Sequence, residues 1–244
     1  MQSISPAFAL ALVDAIGSAD KTIEPLTATL TNTTEPFTSA RIPMHDLSRL
    51  IEGVQMRSGN EDLGLLAYEK AHPAHLGALG YAAMSSATLR EAMARMVEHH
   101  TMIGTGFCMF MDSTASTLRM AGLSATPQNT LPRVFVDAVA SITLGLLHWL
   151  APSARIMPIR AEFTYEQPRN TGRLERLFGT DLRFCCPVNA LTFQRADAEQ
   201  AVATFDPSLQ QIHDQYLKRC QDEQNNESVT ARATGAILQH LNQA

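Results

Sequence analysis

Positive charge is scarce in this chain. Its 244 residues carry 19 Lys and Arg against 24 Asp and Glu, a formal net charge of −5. Nucleic-acid binding depends on clustered Lys and Arg that neutralise phosphates, so this stretch is not built to wrap a polyanion. A small-molecule pocket is untouched by that argument. Cysteine is scarce too, limited to Cys108, Cys185, Cys186 and Cys220. None forms a Cys-x-x-Cys pair and no histidine completes a zinc set, so no metal site is expected. The four read as reduced thiols of a cytoplasmic protein. The N-terminus lacks a basic region leading into a long apolar run, so no signal peptide is expected. There is no Gly-x-Ser-x-Gly elbow, phosphate-binding glycine loop, His-Glu-x-x-His or dinucleotide fingerprint, and so no catalytic residue or cofactor is expected. An uninterrupted membrane span is also missing. The longest apolar segment, 132–150, is cut by Asp137 and His148 before it reaches the ~20 apolar residues a span needs. It reads as a core or subunit-interface helix.

What the chain does have is apolar material, 45% of its residues, enough for a substantial core in one large domain or two small ones. Residues 5–16 read as a helix with Pro6 in its first turn and Phe8, Leu12 and Ile16 on one side. Residues 20–40, rich in Thr, read as an irregular connection. Helices are expected over 42–58, closed by Gly59, and over 61–70. Thr88 and Glu91 have capping-box spacing at the head of a helix stopped by Gly104, with Leu89, Ala92, Met93, Met96, Val97 and His100 on its apolar face. Gly77 and Gly80 just before it suit tight turns or close packing.

From Gly106 the period changes. Alternation over 106–111 and 116–121 predicts a β-hairpin buried on both faces. Residues 156–165 predict a half-buried strand, 170–179 a short helix and 182–193 a further strand interrupted at Pro187. Asp206-Pro207 opens a helix to about 223 with Leu209, Ile212, Tyr216 and Cys220 on a thin seam, the kind that packs on one partner helix. Asn225-Asn226 is expected to break it before a last helix over 227–241. The fold class is therefore α+β: N-terminal helices and a long central helix packed on an antiparallel sheet of about four strands.

Three passages carry a family resemblance. The first is Leu79-Gly80-Tyr81-Ala82 with Ser86-Ala87-Thr88-Leu89-Arg90-Glu91-Ala92. The second is Ile42-Pro43 with Leu47-Ser48-Arg49-Leu50-Ile51 and Gly59-Asn60-Glu61-Asp62-Leu63-Gly64-Leu65. The third is Phe163-Thr164-Tyr165-Glu166-Gln167-Pro168, then Arg176-Leu177-Phe178-Gly179-Thr180-Asp181-Leu182-Arg183-Phe184, then Asn189-Ala190-Leu191-Thr192-Phe193. Together they resemble the effector-sensing half of AraC/XylS transcription regulators, the arabinose-binding-type N-terminal domain. The resemblance implies a bacterial regulator that senses an unidentified small-molecule effector, forms a homodimer and works in the cytoplasm without membrane contact. It implies an effector-binding and dimerisation domain over 1–224, divided into a mainly helical part (1–104), a sheet-containing part (105–200) and a linker helix (206–224). Residues 227–244 would begin a helix-turn-helix unit that is cut short at Ala244. DNA would be read only through that C-terminal domain, absent from this chain.

Six residues are candidate ligand contacts. Tyr81 and Trp149 are amphipathic and suit a pocket wall or a core equally well. His100 lies on an apolar helix face. His148 belongs to a polar stripe with Arg133, Asp137 and Ser141, which is either the wet edge of a buried helix or one side of a cavity. Arg160 could meet a carboxylate or phosphate or pair with Glu162, and Arg95, spaced to pair with Glu91, completes the six. His99 and His100 diverge by about 100° on a helix and cannot share a metal ion. Two other functions remain open: a ligand-free dimerisation module, or a small-molecule enzyme using His99 or His100 in an acid/base pair. A cavity beside His100 and Trp149 would favour sensing, and a solid core there the module.

Overall fold

The computed structural model describes residues 2–17, 41–125 and 131–241, with side chains through 224. The expected irregular connection at 20–40 lies outside the described residues. A short strand β1 (Ser3–Ile4) pairs antiparallel with β2 (Ile42–Pro43). This ribbon was not anticipated, because two residues are too few for any period to register. Between them in sequence, α1 (Pro6–Gly17) is buried on almost every side. The next helix, α2 (Met44–Ser58), buries Met44, Leu47, Ile51 and Val54 and ends where Gly59 turns left-handed at φ 64°.

The helix expected over 61–70 is a 3₁₀ turn at Leu63–Tyr68. Close packing accounts for the difference. A Cβ on Gly64 would lie 2.2 Å from the Val134 carbonyl oxygen, and one on Gly145 would lie 2.5 Å from Ala71 Cβ. The segment is pressed flat against the central helix, and the tighter 3₁₀ winding suits a short connector under that constraint. A second 3₁₀ turn, Pro73–Leu76, leads into α3 (Ala78–Met84). Gly80 faces the Pro73 carbonyl so closely that a Cβ would be 1.7 Å away. Of the two uses the sequence left open for this glycine, turn or close packing, the helix takes the second. Then α4 (Leu89–Glu98) starts at Thr88, whose Oγ1 accepts the Glu91 amide at 3.2 Å, as the capping spacing predicts. It stops at Glu98, short of Gly104, and a 3₁₀ turn at His100–Met102 follows.

The main sheet has five strands in the order β3-β4-β7-β5-β6. They are β3 (Phe107–Ser113), β4 (Thr117–Ser124), β5 (Arg160–Glu162), β6 (Leu182–Arg183) and β7 (Asn189–Gln194). The hairpin stands where the alternation placed it, but only one of its faces is buried: Cys108 and Phe110 are exposed while Phe107 is covered. The expected strand over 156–165 shrinks to three residues, and the one over 182–193 splits in two. Cys185, at φ 55°, turns the chain between the halves, just ahead of Pro187, and β6 runs parallel to β5. The sheet is thus antiparallel except at that edge.

The central helix, α5 (Arg133–Leu150), lies across the inner face of this sheet. It is long and apolar enough to cross a membrane, but 72% of it is buried inside the protein, where it forms the middle of the core as expected. Of two short helices, α6 (Gly172–Phe178) connects β5 to β6, and α7 (Arg195–Ala198) follows directly on β7. Last comes α8 (Pro207–Leu241), whose backbone runs through Asn225-Asn226 without the expected break.

Candidate functional site

The two sides of α5 do different things. Phe135, Val136, Val139, Ala140 and Thr143, at helical spacing, face the sheet. Cross-strand register places Phe107 and Met109 of β3, Met120 and Gly122 of β4, and Leu191 of β7 on the sheet's inner side. Between these walls lies an apolar, partly open cavity of about 70 Å³, with Phe163 and Leu131 also on its lining. That exceeds the roughly 10–15 Å³ one water requires. The wall's polar residues are Thr143, Asn189 and Glu162. Asn189 Oδ1 already accepts the Thr164 amide at 2.9 Å, and Glu162 Oε2 accepts Arg119 Nε at 2.8 Å.

The opposite side of α5 carries the polar stripe. It is neither a wet edge nor a cavity wall. Asp137 and Ser141 are fully buried, and the stripe forms the seam against the Leu63–Tyr68 turn. Arg133 reaches Asp62 at 2.7 Å and Glu61 at 3.4 Å, and its guanidinium lies over the Tyr165 ring. Tyr165 donates its hydroxyl to Asp137 Oδ1 at 2.5 Å. Arg133 Nε stands 3.2 Å from Asp137 Oδ2 without hydrogen-bond alignment, so their attraction is mainly coulombic. Burial raises the Asp137 carboxyl from 3.8 to about 6, against the opposing pull of the Tyr165 hydroxyl and the Arg133 charge. Burial and the adjacent carboxylate push the Tyr165 phenol well above its ordinary value.

The six candidates do not converge. His148 joins the stripe, bonded to Tyr68 Oη at 2.8 Å and to the Ile156 carbonyl at 2.6 Å. Trp149 packs edge-on to His72 at 5.3 Å. Tyr81 is 48% exposed on α3. Arg160 pairs with Asp181 at 2.9 Å; it does not pair with Glu162, whose partner is Arg119. His100 is half-buried, bonded to the Val97 carbonyl at 2.8 Å, with its ring against Phe107. It therefore backs onto a residue of the cavity wall, but none of the six lines the cavity itself. His99 is the more buried of the two histidines. Among the described residues no cluster of His, Cys, Asp and Glu could hold a metal. The residues that do enclose the space are mostly Phe, Met, Val, Ala and Leu. In the sequence their mark is the all-apolar alternation of Phe107, Met109 and Met111, which carries none of the polar groups that single out a pocket.

Arg95 serves α8. Its guanidinium makes two bonds to Asp214, at 2.8 and 2.9 Å, and a third to Ser86 Oγ at 2.8 Å. His213 meets Ser85 Oγ at 2.9 Å, and Gln210 reaches Glu91 at 3.3 Å. Leu217 is the buried apolar residue of this contact. An open, charged cleft runs along the junction, walled by Glu91, Glu98, His99, Lys218 and Asp222. The far side of the helix is bare: Leu209, Ile212 and Tyr216, with Phe205 ahead of them, are 43–59% exposed.

Comparison with known proteins gives this arrangement a family. Residues 32–202 match the model described as the N-terminal arabinose-binding domain of AraC transcription regulators. The chain is 22% identical over 177 residues to the ornithine utilization regulator of Pseudomonas aeruginosa, covering 72% of this chain and 52% of that protein. It thus spans about half the length of that curated relative. Its fold is similar to that of the transcriptional regulator CdpR from Pseudomonas aeruginosa, with TM-score 0.53 and 17% identity over 80% of this chain and 61% of that one. The family match takes in the whole five-stranded sheet, the central helix and the cavity between them, and on that ground the chain belongs to the N-terminal arabinose-binding domains of AraC transcription regulators, a class of ligand-sensing regulatory domain.

Proposed function

We propose that residues 1–224 are the effector-sensing and dimerisation unit of a bacterial DNA-binding transcription regulator, and that 227–244 open a helix-turn-helix domain through which alone the parent protein reads DNA. The sensing half of this reading rests on one observation, the apolar cavity between α5 and the sheet. Concave, mostly apolar spaces with a few polar groups are the usual composition of a small-molecule site. The charged cleft beside α8 is the weaker candidate. Its wall is almost wholly charged and polar, and Arg95 and Asp214 on it already satisfy each other. No reaction, cofactor or membrane contact is assigned to the unit, and it would work in the cytoplasm alongside its DNA.

A route to α8 follows from the packing. Phe107, Met109, Val139 and Thr143 border both the cavity and a smaller apolar void whose far wall includes Met96 of α4. The neighbouring Arg95 holds Asp214. A ligand that moves the shared wall would therefore bias how α8 is held, and a coupling of about 1–3 kcal/mol would suffice. Leu209, Ile212 and Tyr216 recur at three and four residues, the spacing of a helix-pairing seam, with Phe205 just ahead of the helix, and we assign that face to a second copy of the chain.

A thermal-shift screen against metabolites tests the sensing half, run on the wild type and on Ala140→Phe, which fills the cavity from α5. A true effector at ~100 times its dissociation constant stabilises the wild type by about 2.7 kcal/mol and leaves the variant unmoved. Hits that stabilise both equally would remove the cavity from the account. Hydrogen exchange over 207–224 that is identical with and without the effector would remove the route to α8. Light scattering on Ile212→Glu tests the dimer: a monomer is expected where the wild type is a dimer.

A further inference from the structure

We infer that the occupant of this cavity is an apolar molecule, a hydrocarbon chain or ring with at most one neutral polar end. Neither a pentose nor a doubly charged amino acid fits. The inference rests on the cavity being the effector site and adds the chemistry of what enters it.

A sugar lodged against this wall must have its hydroxyls hydrogen-bonded, since each one desolvated without a partner costs the water hydrogen bonds it gave up. The wall cannot supply those partners. Thr143 has one hydroxyl, and the Asn189 carbonyl oxygen is already taken by the Thr164 amide. Glu162 pairs in register with Ala190, so its side chain is on the sheet's other face, where Arg119 holds it. A diamino acid fares worse, because a desolvated ammonium or carboxylate needs a free counter-charge, and the one charged residue bordering the space, Glu162, turns its carboxylate away and onto Arg119. The rest of the surface is hydrocarbon, rings and thioethers. Phe107, Phe135 and Phe163 offer rings, and Met109 and Met120 supply side chains that reshape around an irregular apolar body. Thr143 and the Asn189 amide nitrogen suffice for one hydroxyl or carbonyl. Gly122, on the inner side of β4, leaves open the volume a side chain would fill: a Cβ there meets nothing nearer than the Cys108 carbonyl oxygen at 3.5 Å.

Three probes decide the matter, each titrated by calorimetry into the wild type, Ala140→Phe and Gly122→Val: 1-octanol, L-arabinose and L-ornithine. Both substitutions fill the same space from opposite walls, so the second carries the test if the first fails to fold. The expected result is saturable octanol binding to the wild type, weakened about tenfold or more in the filled variants, with no binding of arabinose or ornithine. Failure of octanol to bind the wild type overturns the apolar assignment. So does arabinose or ornithine binding that the filled variants abolish, although the cavity then stands as the effector site. Octanol binding that ignores both substitutions overturns the assignment and the site together.

Discussion

Replacing Asp137 with Asn should remove a pH dependence from the protein's stability. The carboxyl is fully buried against Arg133 and Tyr165, and burial lifts it from 3.8 to about 6. A proton therefore binds more tightly to the folded chain than to the unfolded one. Below about pH 4 the group is protonated in both states, and its contribution is fully present. As pH rises through 6 the unfolded state has already released its proton, the folded state must ionise a buried group, and stability falls. Above pH 6 the loss is complete. The difference of about two pK units corresponds to roughly 3 kcal/mol. Asparagine mimics the protonated form, accepting the Tyr165 hydroxyl without the buried charge. In urea titrations from pH 3 to 8, the wild type should lose roughly 3 kcal/mol relative to Asp137→Asn, with the gap opening between pH 4 and 6.5. Carboxylates such as Asp181, which its arginine partners hold below the usual range, are common to both proteins and cancel in the difference. Parallel stability curves for the two would refute the reasoning and mean that Arg133 fully compensates the buried charge.

Three further outcomes follow from the same geometry. Tyr165→Phe deletes a hydrogen bond that favours the Asp137 carboxylate, so the pH step should move upward, as read by the same titrations. Gly145→Ala would press a methyl to within 2.5 Å of Ala71 Cβ and 2.8 Å of the Tyr68 carbonyl oxygen, both nearly immovable, and should cost about 1–3 kcal/mol or more in a denaturant melt. Asp214→Ala removes both bonds to Arg95. Because Asp214 is half exposed, the global cost should stay near 1 kcal/mol or less, while hydrogen exchange over 207–224 rises. Unchanged exchange would mean that the other contacts hold the helix alone.

The parts of the fold readable in advance are those where local chemistry and burial agree. Thr88 caps α4 because its hydroxyl meets the Glu91 amide directly, a three-residue matter. The apolar run of α5 announced a buried helix, and the alternation from Phe107 announced a hairpin. Misreadings arose where distant packing decides. The 3₁₀ winding at Leu63–Tyr68 depends on Gly145, some eighty positions later, leaving room for the chain. β6 is two residues long and exists because β5 lies beside it. Of the cavity, the sequence offers only a guess at a place beside His100 and Trp149, and His100 alone abuts its wall. Polar and aromatic residues drew attention as ligand contacts, yet the wall is hydrocarbon. In a sequence, Val139 or Ala140 beside a void looks the same as Val139 or Ala140 in solid core.

Through residue 224, α8 is fastened to α3 and α4 by polar and charged side chains, with Leu217 the apolar residue buried there. Lifting such a helix away would uncover little oil, so detachment should carry almost no heat-capacity signature and should be eased by salt, which screens exposed ion pairs. An undocking step that grows more frequent from 50 mM to 1 M sodium chloride, while the sheet and central helix hold firm, would identify that junction as the molecule's loosest joint.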